Sequence, residues 1–177
     1  MKPLQIPGLR ARPVQLDDAS AWARYVCLPE VKRHTSMTAT SVDDVRAEIA
    51  RTLTGLANAP IRFVLMPEGS EAIVGTIGFH TISVDFGTAE VAYDIAPSQW
   101  GQGLATAACR AACLWGFETC GWHRIQATTV LSNLASQRVL DKVGFKREGL
   151  LRNFRLVRGQ PADYWMYSVI PGELTPP

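Results

Sequence analysis

Neither sign of charge dominates this sequence, and no stretch concentrates it. Eighteen Lys and Arg face sixteen Asp and Glu across 177 residues, a net charge of +2, and no basic block or Arg-rich helix occurs. That balance excludes the electrostatic footprint of a nucleic-acid or membrane-surface binder. Long apolar runs are also missing. None approaches the roughly 18 residues a bilayer span needs, and Met1 to Pro7 has no apolar signal core, so the expected location is the cytoplasm. Cysteines are few: Cys27, Cys109, Cys113 and Cys120. Four in a chain this long do not make a disulfide framework, and they read as small packing residues. With no C-x2-C pair and with His34, His80 and His123 each isolated, no metal site is expected.

What is present is an ordinary apolar content of 47% in a length suited to one domain, here taken as residues 1–177 with its core at about 9–170. Alternation predicts strands at 9–14, 61–66, 72–83, 88–96, 124–130, 145–153 and 163–170. Gly75 and Gly78 suggest a bulge or bend in the third of these. Helices are predicted after Asp17 to Val26, from Ser41 with Val45, Ile49 and Leu53 in line, from Gly103 to Cys120, and from Asn133 to a stop at Gly144. Residues 30–40 read as loop with a short helical turn. The order gives antiparallel hairpins around one βαβ crossover: an α+β fold, a mixed and mostly antiparallel twisted sheet of about seven strands with helices on both faces.

The segment Trp100-Gly101-Gln102-Gly103-Leu104-Ala105-Thr106 joins a strand to the long helix. Glycines let the backbone approach a partner closely, and the first amides of a helix have no partner inside it. The helix dipole adds positive charge there, so the tip suits a phosphate. A Walker loop would place Lys after the second glycine, and none is present. A dinucleotide fingerprint would need Gly at position 106 and an acid about twenty residues on, where Thr106 and His123 stand. Plain turn chemistry is the bland alternative.

Three segments together carry a resemblance: Ala89-Glu90-Val91-Ala92-Tyr93-Asp94-Ile95, the glycine loop, and Asn133-x-x-Ser136 running on to Gly144-Phe145. In this order and spacing the chain, from about Leu9 to Ile170, resembles the GCN5-related N-acetyltransferase superfamily, and within it the RimJ/RimL-like branch that acetylates ribosomal proteins and protein N-termini. The family motif Gln/Arg-x-x-Gly-x-Gly/Ala maps onto Trp100, Gly103 and Ala105, with Trp in the first slot.

The resemblance implies acetyl-CoA as cosubstrate and no metal, with the diphosphate on the amides around Gly101, Gln102, Gly103, Leu104, Ala105 and Thr106. It places Ile95, Trp100, Asn133 and Ser136 along the cofactor, with a splay between two parallel strands opening after Ile95. Asn133 also suits an N-cap, and Trp100 also suits packing. The implied reaction is direct attack of a primary amine on the thioester in a ternary complex. Glu90 is then the candidate base, against the plain alternative of a solvent-facing carboxylate. The oxyanion would meet a strand amide near 92–95.

Many members carry a Tyr four residues before the Gly of G-F; here Leu140 occupies that place. Ser136 is the remaining candidate for the leaving thiolate, with Tyr93 and Tyr167 behind it. The acceptor is open: a protein N-terminal α-amine, or a small amine such as an antibiotic or polyamine. Trp22, Tyr25, His34, Met37, Phe79, Arg155 and Trp165 are candidates for its pocket. A cofactor-binding sensor with little turnover and a nucleotide-binding enzyme are the rival readings, and the resemblance is compatible with a homodimer.

Overall fold

The structure is a computed structural model describing residues 2–33 and 37–176. Its strands are β1 (Leu9–Pro13), β2 (Ile61–Pro67), β3 (Gly75–Ser83), β4 (Thr88–Ile95), β5 (Arg124–Val130), β6 (Lys146–Val157) and β7 (Gln160–Val169). The helices are α1 (Ala19–Val26), α2 (Pro29–Lys32), α3 (Val42–Thr52), α4 (Leu104–Cys120) and α5 (Leu134–Val143). All seven strands form one sheet in the order β1-β2-β3-β4-β5-β7-β6. Only β4 and β5 run parallel, joined by the α4 crossover. The expected α+β architecture is therefore found.

Strand alternation sorts the sheet into two cores. Phe63 and Leu65 of β2 point to the α4–α5 face, and Val64 and Met66 to the α1–α3 face, all nearly inaccessible. On the first face Phe79 meets Trp122 edge-on at 4.7 Å, and Trp115 meets Phe63 edge-on at 5.4 Å. Cys109 and Cys113 are buried there as free thiols. On the second, Trp22, Val26, Val45 and Ile49 cover β2. Leu53, expected in line with Val45 and Ile49, instead lies past the end of α3 and is exposed.

Helix ends follow local chemistry. The Ser41 hydroxyl accepts from the Asp44 amide while the Asp44 carboxylate accepts from the Ser41 amide, a reciprocal cap. Asn133 Oδ1 accepts from the Ser136 amide at 3.0 Å and starts α5.

Two expectations need correction. The glycines Gly75 and Gly78 make no bulge. They let neighbouring chain segments approach: a Cβ on Gly78 would lie 1.9 Å from the Ile61 carbonyl oxygen, and one on Gly75 2.8 Å from that of Asp94. The bulge lies further on, where the β3–β4 register shifts between His80 and Ser83 and Thr81 takes φ +51°. The splay is the second correction. β4 and β5 pair only through Thr88↔Arg124, Ala89↔Ile125 and Glu90↔Gln126, so they part after Glu90 rather than after Ile95. Beyond that point β4 stays with β3 as far as Ile95↔Gly75, and β5 stays with β7 as far as Val130↔Tyr164. Each follows its antiparallel outer neighbour, and sheet twist carries the two apart.

At the end of β5 that is still paired with β4, before the splay, the sheet is clasped across three strands. Arg124 of β5 donates to both carboxylate oxygens of Glu148 on β6 at 2.8 and 2.6 Å, and Ser168 of β7 donates to the same carboxylate at 2.6 Å. These donors, Arg124 first, hold the Glu148 carboxyl down at about 2, against an ordinary 4.5. A lowered carboxylate contributes stability that is full above its unfolded value and is lost as pH falls through its folded one. Urea unfolding at stepped pH is expected to show a loss of stability between about 4.5 and about 2 that Glu148→Gln flattens. An equal slope in that variant over the same window refutes the assignment.

Candidate active site

The splay opens a cleft of about 790 Å³ that runs from the first turn of α5, between β4 and β5, to the underside of α1 and α3. The glycine loop follows the end of β4 and opens α4. Gly101 and Gly103 have φ of +80° and +78°, values that favour glycine, and Gly103 caps α4 with no side-chain bond. The first α4 amide bonded to the loop is Ala107, to the Gly103 carbonyl. Among the described residues the amides of Gly101 to Thr106 find no acceptor, and residues 101–103 are exposed. The tip is thus open and rich in donors, as a diphosphate requires. Trp100 braces it: its indole Nε1 donates to the Ile95 carbonyl at 2.7 Å, and the ring is half-exposed. Ile95 is buried, and its carbonyl is taken by that bond.

At the α5 end of the cleft, the Ser136 hydroxyl lies 2.9 Å from the Tyr93 hydroxyl. Burial pushes the Tyr93 phenol well above its ordinary value, so it stays protonated and able to donate. Leu140 is a core residue at 1% exposure and offers no hydroxyl, whereas this pair stands at the α5 end of the cleft.

Deeper in, Glu90 stands where β4 and β5 part. It is 2% exposed, not solvent-facing. Thr128 donates to its Oε1 at 2.6 Å, and Arg155 Nη2 donates to both oxygens at 3.0 and 3.2 Å. His80, opposite Glu90 in the β3–β4 register, places Nε2 3.9 Å from Glu90 Oε1. Further along the same face, Asp94 accepts from the Tyr25 hydroxyl at 2.5 Å and from Thr76 at 2.8 Å, and Arg62 donates to the Ala92 carbonyl at 3.0 Å. Burial pushes the Asp94 carboxyl up, opposed by the charge of Arg62 and by the hydroxyl donors.

Of the side chains expected around an acceptor, Trp22, Met37 and Arg155 line the cleft. Phe79 belongs to the opposite core, Tyr25 lies beneath the cleft on Asp94, and Trp165 stacks under Arg147 at 4.5 Å. His34 falls outside the described residues. His80, Thr128 and Asp94 were not singled out from the sequence. Counting register along the β3–β4 hairpin is the signal that would have found His80, since it pairs with Glu90.

A helix tip with bare amides, on the crossover between two parallel strands that part, has the donors an extended phosphate-bearing cosubstrate needs. The family profile for the acetyltransferase (GNAT) domain matches residues 9–146. An uncharacterized N-acetyltransferase, p20, of Bacillus licheniformis is 32% identical over 98% of both chains. The [Ribosomal protein uS5]-alanine N-acetyltransferase of Escherichia coli is 28% identical over 64% of this chain and 59% of its own. Among solved structures, Mycobacterium smegmatis RimJ in complex with CoA-disulfide superposes with a TM-score of 0.84 at 28% identity, covering 99% of this chain and 88% of that one. The chain belongs to the GNAT acetyltransferase family, and it is an N-acetyltransferase with acetyl-CoA as its cosubstrate.

Proposed function

We propose that the chain acetylates a protein N-terminal α-amine, by direct attack of that amine in a ternary complex. The observation that carries this reading is the union of the open donor tip at Gly101 to Thr106 with the splay and its Ser136–Tyr93 pair. The amides of Gly101, Gln102, Gly103, Leu104, Ala105 and Thr106 hold the diphosphate, and Trp100 and Ile95 fix the strand end beside them. Asn133 sets the first turn of α5 and so aims Ser136 into the cleft. When bound, acetyl-CoA supplies the activated acetyl group at the splay.

The choice of acceptor rests on charge. Glu90 is committed to Arg155 and Thr128, and Glu48 pairs with Arg51. Asp94 faces the charge of Arg62, and Asp44 is occupied in capping α3. A polycation needs free carboxylates, whereas an α-amine of pKa about 8 needs only modest help to become neutral. The uS5-alanine acetyltransferase of E. coli is a relative with such an acceptor. We place the protein in the cytoplasm, since its four cysteines are free thiols, as a reducing compartment keeps them. A homodimer stays part of the proposal, and sedimentation decides it.

The test is thiol release from acetyl-CoA with N-terminal peptides, polyamines and aminoglycoside-type amines, the products weighed by mass spectrometry. Acetyl-peptide formed at the highest kcat/KM supports the proposal. Preference for a polyamine or a drug amine overturns the acceptor, and coenzyme A binding with no transfer to any amine leaves a sensor.

Ser136 and Tyr93 act on the leaving sulfur, Ser136 donating and Tyr93 holding its hydroxyl in line. Ser136→Ala is expected to lower kcat by about 10- to 100-fold, in the range for one positioned proton donor. Tyr93→Phe should cost less, and neither should move coenzyme A affinity. A wild-type kcat in Ser136→Ala removes that residue from the chemistry.

A further inference from the structure

The reaction needs a base beside the amine, and Glu90 is poorly free to be one. Its Oε1 accepts from Thr128 and Arg155, and Oε2 from Arg155, inside a 2% exposed position. A carboxylate so occupied serves better as a fixed negative charge than as a proton acceptor. Beside it on the neighbouring strand β3 is a group with the complementary properties. His80 lines the cleft, its side chain is 28% exposed, and its Nε2 lies 3.9 Å from Glu90 Oε1, too far for a hydrogen bond and close enough for an ion pair.

The backbone beside it is unusual. Thr81 is β-branched yet sits at φ +51°, at the register shift of β3. That conformation is an outlier for a β-branched residue, and such strain persists where the surrounding structure imposes it, commonly at functional sites. Here it brings the Thr81 hydroxyl to 2.8 Å from His80 Nδ1. If Nδ1–H donates to that hydroxyl, Nε2 is left bare toward the cleft.

We infer that His80 is a catalytic residue, the base that takes the proton of the acceptor amine at Nε2, with Glu90 and Thr81 as its positioning residues. The inference rests on the acetyltransferase reading of this cleft and names a group that reading leaves unassigned. The ammonium gives one proton to Nε2. The nitrogen lone pair then forms the C–N bond to the acetyl carbon while the C–S bond breaks and its electron pair stays on sulfur. The second nitrogen proton reaches sulfur by way of the Ser136–Tyr93 hydroxyls, and His80 returns its proton to water, so ammonium and thioester become amide, thiol and one proton. The imidazolium is stabilised by the buried Glu90 carboxylate opposite it.

Before the reaction the ring is neutral. Burial lowers its affinity for protons, Glu90 of β4 raises it, and Arg155 of β6 and Arg62 of β2 lower it, with the net direction down from 6.5. A neutral imidazole at working pH is what a base requires.

The experiment has two arms. The first follows the His80 ring by NMR against pH in the free enzyme. The ring is expected to titrate below its ordinary value, and lower still in Glu90→Gln, because a carboxylate that favours the charged ring is gone. A ring that titrates at or above the ordinary value, or is indifferent to Glu90→Gln, overturns the proposal.

The second arm measures kcat at saturating amine from pH 5 to 9. His80→Gln is expected to lose about 100-fold and the acid limb with it, as for a general base. Added imidazole should restore turnover in His80→Ala. Thr81→Val should lower kcat without changing KM for acetyl-CoA, and Thr81→Ser should recover it. Retention of the limb in His80→Gln together with its loss in Glu90→Gln would make Glu90 itself the base. Absence of transfer by the wild type to every amine would instead remove the acetyltransferase reading on which this rests.

Discussion

Replacing Gly103 by Pro is expected to weaken coenzyme A binding by about 30- to 100-fold, the equivalent of about 2–3 kcal/mol. Two effects act together at that position. The variant loses one N–H of the donor set at the α4 tip, and a hydrogen bond to a charged group contributes about 1.5–3 kcal/mol. Proline fixes φ near −65°, whereas Gly103 sits at +78°, so the chain on either side must turn away from the course that presents the neighbouring amides. The dipole of α4 remains, so residual affinity is expected.

Gly103→Ala separates these effects. It keeps the N–H, and nothing lies within 4 Å of its added Cβ, but it holds a left-handed conformation at a cost of about 1–2 kcal/mol. Its affinity should fall less than tenfold. Calorimetric titration with coenzyme A reads both, and the left-handed strain in Gly103→Ala should lower the thermal midpoint by about 2–8 °C while leaving the protein folded. A folded Gly103→Pro that binds as tightly as wild type would mean the diphosphate lies elsewhere.

The amide tip could be foreseen because its signal is local: glycines, an absent cap and a helix starting beside them. The same holds for the Ser41 cap, the Asn133 cap and the Gly144 stop, each set by residues within a few positions. Strand identities were also legible, since β2 and β4 alternate between two buried faces. What the sequence hid was pairing. The splay begins after Glu90 because β3 and β7 hold the diverging strands, and no residue near Glu90 announces that. Glu90 read equally well as solvent-facing, since its burial depends on Thr128 and Arg155, which arrive 38 and 65 residues later. His80 had no partner in sequence and gained one only through strand register. Trp100 stood between packing and ligand contact, and the structure gives it a third task, sealing the last carbonyl of β4.

Gly78→Ala is expected to destabilise the fold by about 3 kcal/mol, the upper end for inserting a methyl group into a packed site. For a chain of this size that lowers the thermal midpoint by about 6–12 °C. The argument is steric and specific. The added Cβ would lie 1.9 Å from the Ile61 carbonyl oxygen, 2.8 Å from Arg62 Cα and 2.9 Å from Ile61 C, all backbone of β2. A flexible side chain could swing aside, but a strand paired on both sides cannot. β2 is held by β1 through Arg12↔Val64 and by β3 through Arg62↔Gly78, so relief requires parting two strands of the sheet.

Function should fail with stability, because Arg62 on the displaced strand donates to Ala92 on the cleft floor and its charge opposes that of Asp94. Gly149→Ala is the control. That glycine has nothing within 4 Å of a built Cβ and no left-handed φ, so alanine there should change stability by no more than about 0.5–1 kcal/mol. Equal midpoints for the two variants would show that β2 can yield at Ile61, and that a glycine at position 78 is not what lets β2 and β3 come so close.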